Sequence, residues 1–176
     1  WATSKGILCV ISAGNEGANE WKYITAPADA DSILTVGAVN ALGGLSSFSS
    51  IGPSFDGRIK PDLVGVGVGV FSATVSNGGE TDNYGNLSGT SMAAPSTSGV
   101  AALIRSYYPN LTAKEVKYIL MNSGVKIDFK VIKPGSQTEE NPAGDLVPFA
   151  DLSVSGRIVN AYNALQLADY LSRKKQ

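Results

Sequence analysis

The sequence predicts an α/β fold built on a parallel sheet. Three observations carry that prediction. The first half holds three runs that are apolar on both faces, the pattern of strands covered from both sides. The second half holds three patterns with apolar residues three or four apart, as in helices. The strands come first and the helices follow, with Gly-rich turns between the strands, an order that suits a covered sheet.

Each element has its own signature. "GILCVISAGN" from Gly6 is the first strand, ending in Ala-Gly-Asn. "SILTVGAVNA", Ser32 to Ala41, is the second, and "PDLVGVGVGVFSA", Pro61 to Ala73, the third. In the third run Gly65, Gly67 and Gly69 alternate with valines. They fit either a strand face pressed by another backbone or an irregular turn. After Ser91, the residues Val100, Ala101, Leu103, Ile104 and Tyr107 predict a buried helix, stopped by Pro109 and Asn110. "LTAKEVKYILMNSG" follows, with Thr112 and Glu115 spaced as a capping box, a stripe of Val116, Ile119 and Leu120, and Gly124 at its end. The third helix, "NAYNALQLADYLSRK", sets Ala161, Ala164, Leu165, Ala168 and Leu171 on one face. Between the last two helices, residues 126–156 read as a surface loop or hairpin insertion. The polar, Pro/Gly-rich stretch Pro134 to Asp145 is its tip.

Composition narrows the function classes. The chain has 176 residues, enough for one domain with a real core. Its hydrophobic fraction is 43%, its charged fraction only 16%, and its net charge −1. Nucleic acid and anionic membranes reward dense basic patches, so neither is an expected partner. The one basic cluster, Arg173-Lys174-Lys175, reads as a solubilised helix end. Cys9, the sole cysteine, cannot form an internal disulfide and reads as a small buried hydrophobe. No apolar run approaches the length of a membrane span, and no secretory leader is evident.

Two short motifs carry chemistry, "SAGNEG" at Ser12 to Gly17 and "SGTSMAAP" at Ser88 to Pro95. A nucleophilic serine must be exposed at a rigid point, and a strand-to-helix junction provides one. There the helix N-terminus aims free N–H groups and its positive dipole end at Ser91. Gly89 permits the tight turn, Ala93 and Ala94 allow close packing, Met92 is expected beneath the serine, and Pro95 is expected in the first turn. Alone, Ser91 reads as a helix N-cap and Asn15 as a turn residue.

Together and in this order the two motifs resemble the subtilisin-like serine proteases. "GTSMAAP" matches the family's nucleophile signature and "AGN" its oxyanion-hole signature. "FSSIGP" at Phe48 to Pro53, "DGRIKPDLV" at Asp56 to Val64 and "GRIVNAYNAL" at Gly156 to Leu165 add to the likeness, which runs from about Gly6 to Leu171. The resemblance implies a partial three-layer fold, with helices on both faces of the sheet and the early strands missing. It implies that Ser91 is the nucleophile and that Asn15 and the backbone N–H of Ser91 hold the oxyanion. Ser12, Ala13 and Gly14 would wall the pocket for the residue before the scissile bond, and Thr90 joins the substrate-binding set. No cofactor and no metal ligand are assigned. The family implies a weak structural cation, calcium, near Asp62, where a solvated strand-end aspartate is the plainer reading.

The chain departs from the family in ways that set further expectations. It has no histidine. The family's triad aspartate and its histidine, in a "GHGTH"-like segment, would precede Trp1. No lysine stands in an apolar context near either motif to replace them. A relative of the family that uses glutamate and aspartate with the same serine signature carries an aspartate at the oxyanion position, and Asn15 speaks against that variant. The expectation is therefore the C-terminal part of one peptidase domain, residues 1–176, inactive alone, with a polypeptide substrate. Its partner would be the missing N-terminal half of the same domain. The rival expectation is a degenerate domain that binds extended peptides without cutting them. The family also implies an extracellular or cell-envelope location. Finally, Gly65-Val66-Gly67 stands where the family usually has Ala-Pro-Gly, which loosens that turn.

Overall fold

The first two apolar runs become neighbouring parallel strands. In the computed structural model, which describes residues 1–75 and 83–174, β1 is Val10–Ser12 and β2 is Leu34–Val39. All of β2 is buried, and its side chains alternate between two clusters as strand geometry requires. Leu34, Val36 and Ala38 belong to one core, while Val39 belongs to another. Cys9, just before β1, is half-buried rather than fully enclosed.

The third apolar run splits in two. Its first part, β3 (Leu63–Val66), pairs in parallel with β2. Its second part, β4 (Val70–Ala73), leaves that sheet and pairs antiparallel with β5 (Tyr84–Leu87). Both readings of the glycines hold, at different positions. At Gly67 a side chain would come within 2.6 Å of the Gly89 carbonyl, so the strand end is pressed by another backbone. Gly69, with φ +64, makes the turn into β4.

The helices follow the predicted order. α1 is Thr90–Tyr107, α2 Ala113–Ser123 and α3 Ala161–Arg173. The predicted capping box closes α2. The Thr112 Oγ1 accepts from Glu115 N–H, and the Glu115 carboxylate accepts from Thr112 N–H at 2.9 Å. On α1 only part of the predicted stripe is buried. Ala101 and Ile104 are enclosed, but Leu103 and Tyr107 are exposed, because the core side of α1 is drawn instead from Thr90, Ala93, Ala94 and Thr97. At the end of α3, Arg173 pairs with Asp169 at 2.9 Å and Lys174 lies over the Tyr170 ring. Lys175 is outside the described residues.

After α2 come β6 (Val125–Lys126), β7 (Lys130–Ile132), β8 (Leu146–Pro148) and β9 (Arg157–Ile158). The main sheet runs β1-β2-β3-β9-β6, parallel except for the last pair. Within residues 126–156, β7 and β8 form an antiparallel hairpin, and a 3₁₀ turn at Phe149–Asp151 follows.

The sheet is covered on both faces, as its apolar runs require, but the expected helices on both faces need correction. Among the described residues all three α-helices share one core with Leu34, Val36, Ala38 and Leu63. The other face, at Val39 and Val64, is covered by Ile51, Ile127, Val131, Phe149 and Leu152, drawn from loops, the hairpin and the 3₁₀ turn. The second motif therefore sits where α1 meets the ends of β1 and β3.

Candidate active site

Backbone bonds hang the start of α1 on the sheet. The Gly89 N–H donates to the Gly67 carbonyl at 2.8 Å, just past the end of β3. Gly89 is the N-cap, Thr90 opens the helix and Ser91 is next. Thr90 is fully buried, whereas Ser91 is exposed. Met92 is half-buried, and its Sδ approaches Gly89.

Pro95 is not in the first turn, as the sequence suggested, but in the second, because the helix already begins at Thr90. Its missing N–H removes the bond that would have closed on the Ser91 carbonyl.

The other motif arrives from β1. The Ala13 N–H donates to the Val36 carbonyl at 2.9 Å, which extends the β1–β2 pairing by one residue. Gly14, with φ +109, then turns the chain towards α1. Ala13 is fully buried against Ile24 and Ala28, and Ser12 and Gly14 are half-buried. β1 is the outermost strand of the sheet, so the edge facing away from β2 has no strand on it among the described residues.

Three hydrogen bonds join the motifs, and their directions can be assigned. The Thr90 backbone N–H donates to Asn15 Oδ1 at 2.9 Å. A backbone N–H can only donate, so the atom facing it is the carboxamide oxygen. The Gly14 N–H donates to Thr90 Oγ1 at 3.2 Å, and the Thr90 hydroxyl in turn donates to Asn15 Oδ1 at 3.0 Å. With both bonds on its oxygen, the Asn15 carboxamide presents its NH₂ group away from Thr90. Among the described residues neither Asn15 Nδ2 nor the Ser91 N–H has a hydrogen-bond partner. Two donors thus stand unspent beside an exposed serine hydroxyl at a helix N-terminus, where the dipole favours negative charge.

Of the residues named from sequence, Ser91, Asn15, Gly14 and Thr90 come together here. Ser12 and Ala13 lie on the strand that leads in. Thr90 does not face solvent; its side chain is consumed in holding Asn15. Sequence reasoning overlooked Ser50, whose Oγ accepts the Glu16 N–H at 3.0 Å. It lies inside the quoted "FSSIGP", and nothing local marks its contact across the fold.

Asp62 is not a solvated strand-end residue. It is 4% exposed, and Lys60, also 4% exposed, places Nζ 2.7 Å from its Oδ2. Lys117 Nζ lies 3.3 Å from its Oδ1, and the Thr35 N–H donates to Oδ2 at 2.7 Å. Two ammonium groups therefore occupy the carboxylate. Burial pushes the Lys60 ammonium below the usual lysine range, against the pull of Asp62. Among the described residues no group of three or more His, Cys, Asp or Glu side chains is placed to hold a metal. No helix among them is long and apolar enough to cross a membrane.

Comparison with known proteins gives the family and the fold. The family model described as Subtilase family, Peptidase S8, matches residues 1–148. The chain is 40% identical over 121 residues to the subtilisin-like protease PopC of Myxococcus xanthus, covering 69% of this chain and 25% of that protein. It is 38% identical over 127 residues to subtilisin DY of Bacillus licheniformis, covering 72% and 42%. Among solved structures, the self-cleaved protease domain of PatA superposes with a TM-score of 0.67 at 24% identity, over 96% of this chain and 52% of that one. A protease from Pseudoalteromonas arctica gives a TM-score of 0.67 at 29% identity, over 95% and 44%. The chain thus spans about half the length of these solved relatives and less than half of the curated ones. On the strength of the family model and these identities, the chain belongs to the subtilase family of serine proteases.

Proposed function

We propose that this chain is the nucleophile-bearing part of a serine endopeptidase whose remaining catalytic groups lie elsewhere in the complete protein. The observation that supports this best is the pair of unspent donors, Asn15 Nδ2 and the Ser91 N–H, beside the exposed Ser91. In the reaction, the Ser91 hydroxyl attacks a peptide carbonyl while a base takes its proton. The carbonyl oxygen becomes an oxyanion and is received by the two donors. The peptide bond breaks, the amine leaves with a proton from the same base, and water releases the acyl group from Ser91. The edge of β1 at Ser12, Ala13 and Gly14 would take the substrate as an added extended strand. Thr90 serves it from beneath by fixing Asn15. The base is a histidine from outside this chain, since the sequence contains none. The chain alone is accordingly inactive, and its partner is the remainder of its own domain.

The substrate class is polypeptide, and the location is extracellular or cell-envelope. One relative, Nep of Natrialba magadii, is described as a halolysin-like extracellular serine protease. The absence of histidine also favours a second reading, a domain that binds extended peptides without cutting them. A structural calcium near Asp62 remains a separate proposal, one that would need Lys60 or Lys117 to yield.

The deciding experiment is hydrolysis of a chromogenic peptide by the complete protein and its Ser91→Ala variant, together with labelling by an organophosphorus serine reagent. Turnover and labelling that both vanish with Ser91 support the enzyme. A complete protein that binds peptide but neither cuts nor labels belongs to the second reading.

A further inference from the structure

We infer that Ser50 is a positioning residue for the oxyanion donor, acting through the turn that carries Asn15. The inference rests on the reading of Asn15 as that donor. Ser50 is fully buried and holds both residues flanking Asn15. Its backbone N–H donates to the Gly14 carbonyl at 3.0 Å, and its Oγ accepts the Glu16 N–H at 3.0 Å. One residue further along the turn, the Gly17 N–H donates to the Phe48 carbonyl at 2.9 Å. The segment Phe48–Ser50 therefore grips the turn at three points, on either side of Asn15 and beyond it.

The fit leaves no slack. A side chain at Gly14 would come within 2.8 Å of Ser50 Oγ, and one at Gly17 would meet the Ser47 carbonyl at 2.6 Å. Glycine at both places lets the turn lie flat on this segment. Thr90 fixes the Asn15 carboxamide oxygen from the helix side, and Ser50 fixes the main chain beneath it. Neither clamp alone sets where Nδ2 points. An oxyanion donor works only within about 2.7–3.1 Å of the developing charge. A displacement of 1 Å costs on the order of a hundredfold in rate. If the hydroxyl is lost, the Glu16 N–H loses its acceptor in a part-buried place, and the turn is released from its hold on that side of Asn15.

Ser49 provides the internal control. It is equally buried and its backbone lies against Gly17, but its Oγ accepts the Ala38 N–H at 3.1 Å on β2 and makes no hydrogen bond to the Asn15 turn. A defect from mere loosening of the core should appear in Ser49→Ala as well, and a defect in aiming Asn15 should not.

The experiment is a double-mutant cycle in the complete protein, with kcat and KM measured on a chromogenic peptide for Ser50→Ala, Asn15→Ala, both together, and Ser49→Ala with and without Asn15→Ala. Ser50→Ala is expected to lower kcat about tenfold with KM within about twofold, short of the loss that a 1 Å displacement causes. Once Asn15 is alanine, Ser50→Ala should cost nothing more. Any loss in Ser49→Ala should recur undiminished when Asn15 is alanine. Ser50→Cys keeps a small side chain with a weaker acceptor, so the same coupling is expected of it if Ser50→Ala folds poorly. An equal loss from Ser50→Ala in both backgrounds, a rise in KM alone, or no change overturns the inference. If Asn15→Ala itself leaves kcat untouched, the oxyanion reading fails first, and the two failures are told apart.

Discussion

Around Asn15, the hydroxyl and the backbone N–H of Thr90 bind the carboxamide oxygen and leave two donors free. Around Asp62, the opposite holds. Both carboxylate oxygens are taken, by Lys60, Lys117 and the Thr35 N–H, and Lys60 donates further to Thr35 Oγ1 at 3.2 Å. Both clusters join segments far apart in the chain, and both lie against the parallel sheet. One is arranged to meet a charge that arrives later; the other has already met its own. The contrast suggests that substitutions at the first should change rate and spare stability, and that substitutions at the second should do the reverse.

The largest effect is expected at Ser91. Ser91→Ala in the complete protein should abolish turnover and leave the denaturation midpoint unchanged, because the side chain is exposed and has no partner among the described residues. The magnitude is carried over from subtilisin, where removing the nucleophile costs about two million-fold in kcat. Residual turnover within about a hundredfold of wild type would remove Ser91 from the chemistry, since even one lost oxyanion donor costs that much. A large loss of stability would instead give Ser91 a structural role at the start of α1.

Asp62→Asn should invert that pattern. Two ammonium groups would lose the charge that compensates them, and breaking a buried pair in this way costs about 3–5 kcal/mol. Urea denaturation of the complete protein should read that loss, while kcat per folded molecule stays near wild type. A milder test is Lys117→Met, which leaves Lys60 and the Thr35 N–H on the carboxylate. Lys117 is the more exposed of the two lysines, so the cost should fall to about 1 kcal/mol. If Asp62→Asn lowered kcat as much as it lowered stability, the two clusters would not be independent.

The comparison also marks what the sequence could disclose. The strands, the helix order and the capping box follow from period and local signals, and the two motifs announce the serine and the asparagine. The grip that aims Asn15 does not, because Ser50 and Thr90 act on residues far away in the chain, and a serine or threonine in a loop looks the same whether it is used or idle. The partners of Asp62 are hidden from the sequence for the same reason. Lys60 stands two residues away, but the burial of that pair, and Lys117 carried over it by α2, appear only in the fold. In the third apolar run the sequence leaves strand and turn open, because Gly69 reverses the chain inside a Val-Gly repeat that shows no break.

The smallest effect should arise at Asp56, an exposed carboxylate on the same loop as Ser50. Hydrogen bonding to Arg58, with Nε at 2.8 Å, and then to the Ser54 hydroxyl at 2.7 Å lowers its pKa to about 2, against 3.8 in the absence of these partners. Because the folded value is the lower one, folding favours the charged form. The stabilising increment is complete above about 3.8 and disappears as the pH falls through about 2. Asp56→Asn should therefore unfold at slightly lower urea than wild type near neutral pH, and the difference should close between pH 4 and 2. Added salt should shrink it at neutral pH, since the pair is open to solvent. A difference that persisted unchanged below pH 2 would mean that the aspartate contributes through the shape of its loop rather than through its charge.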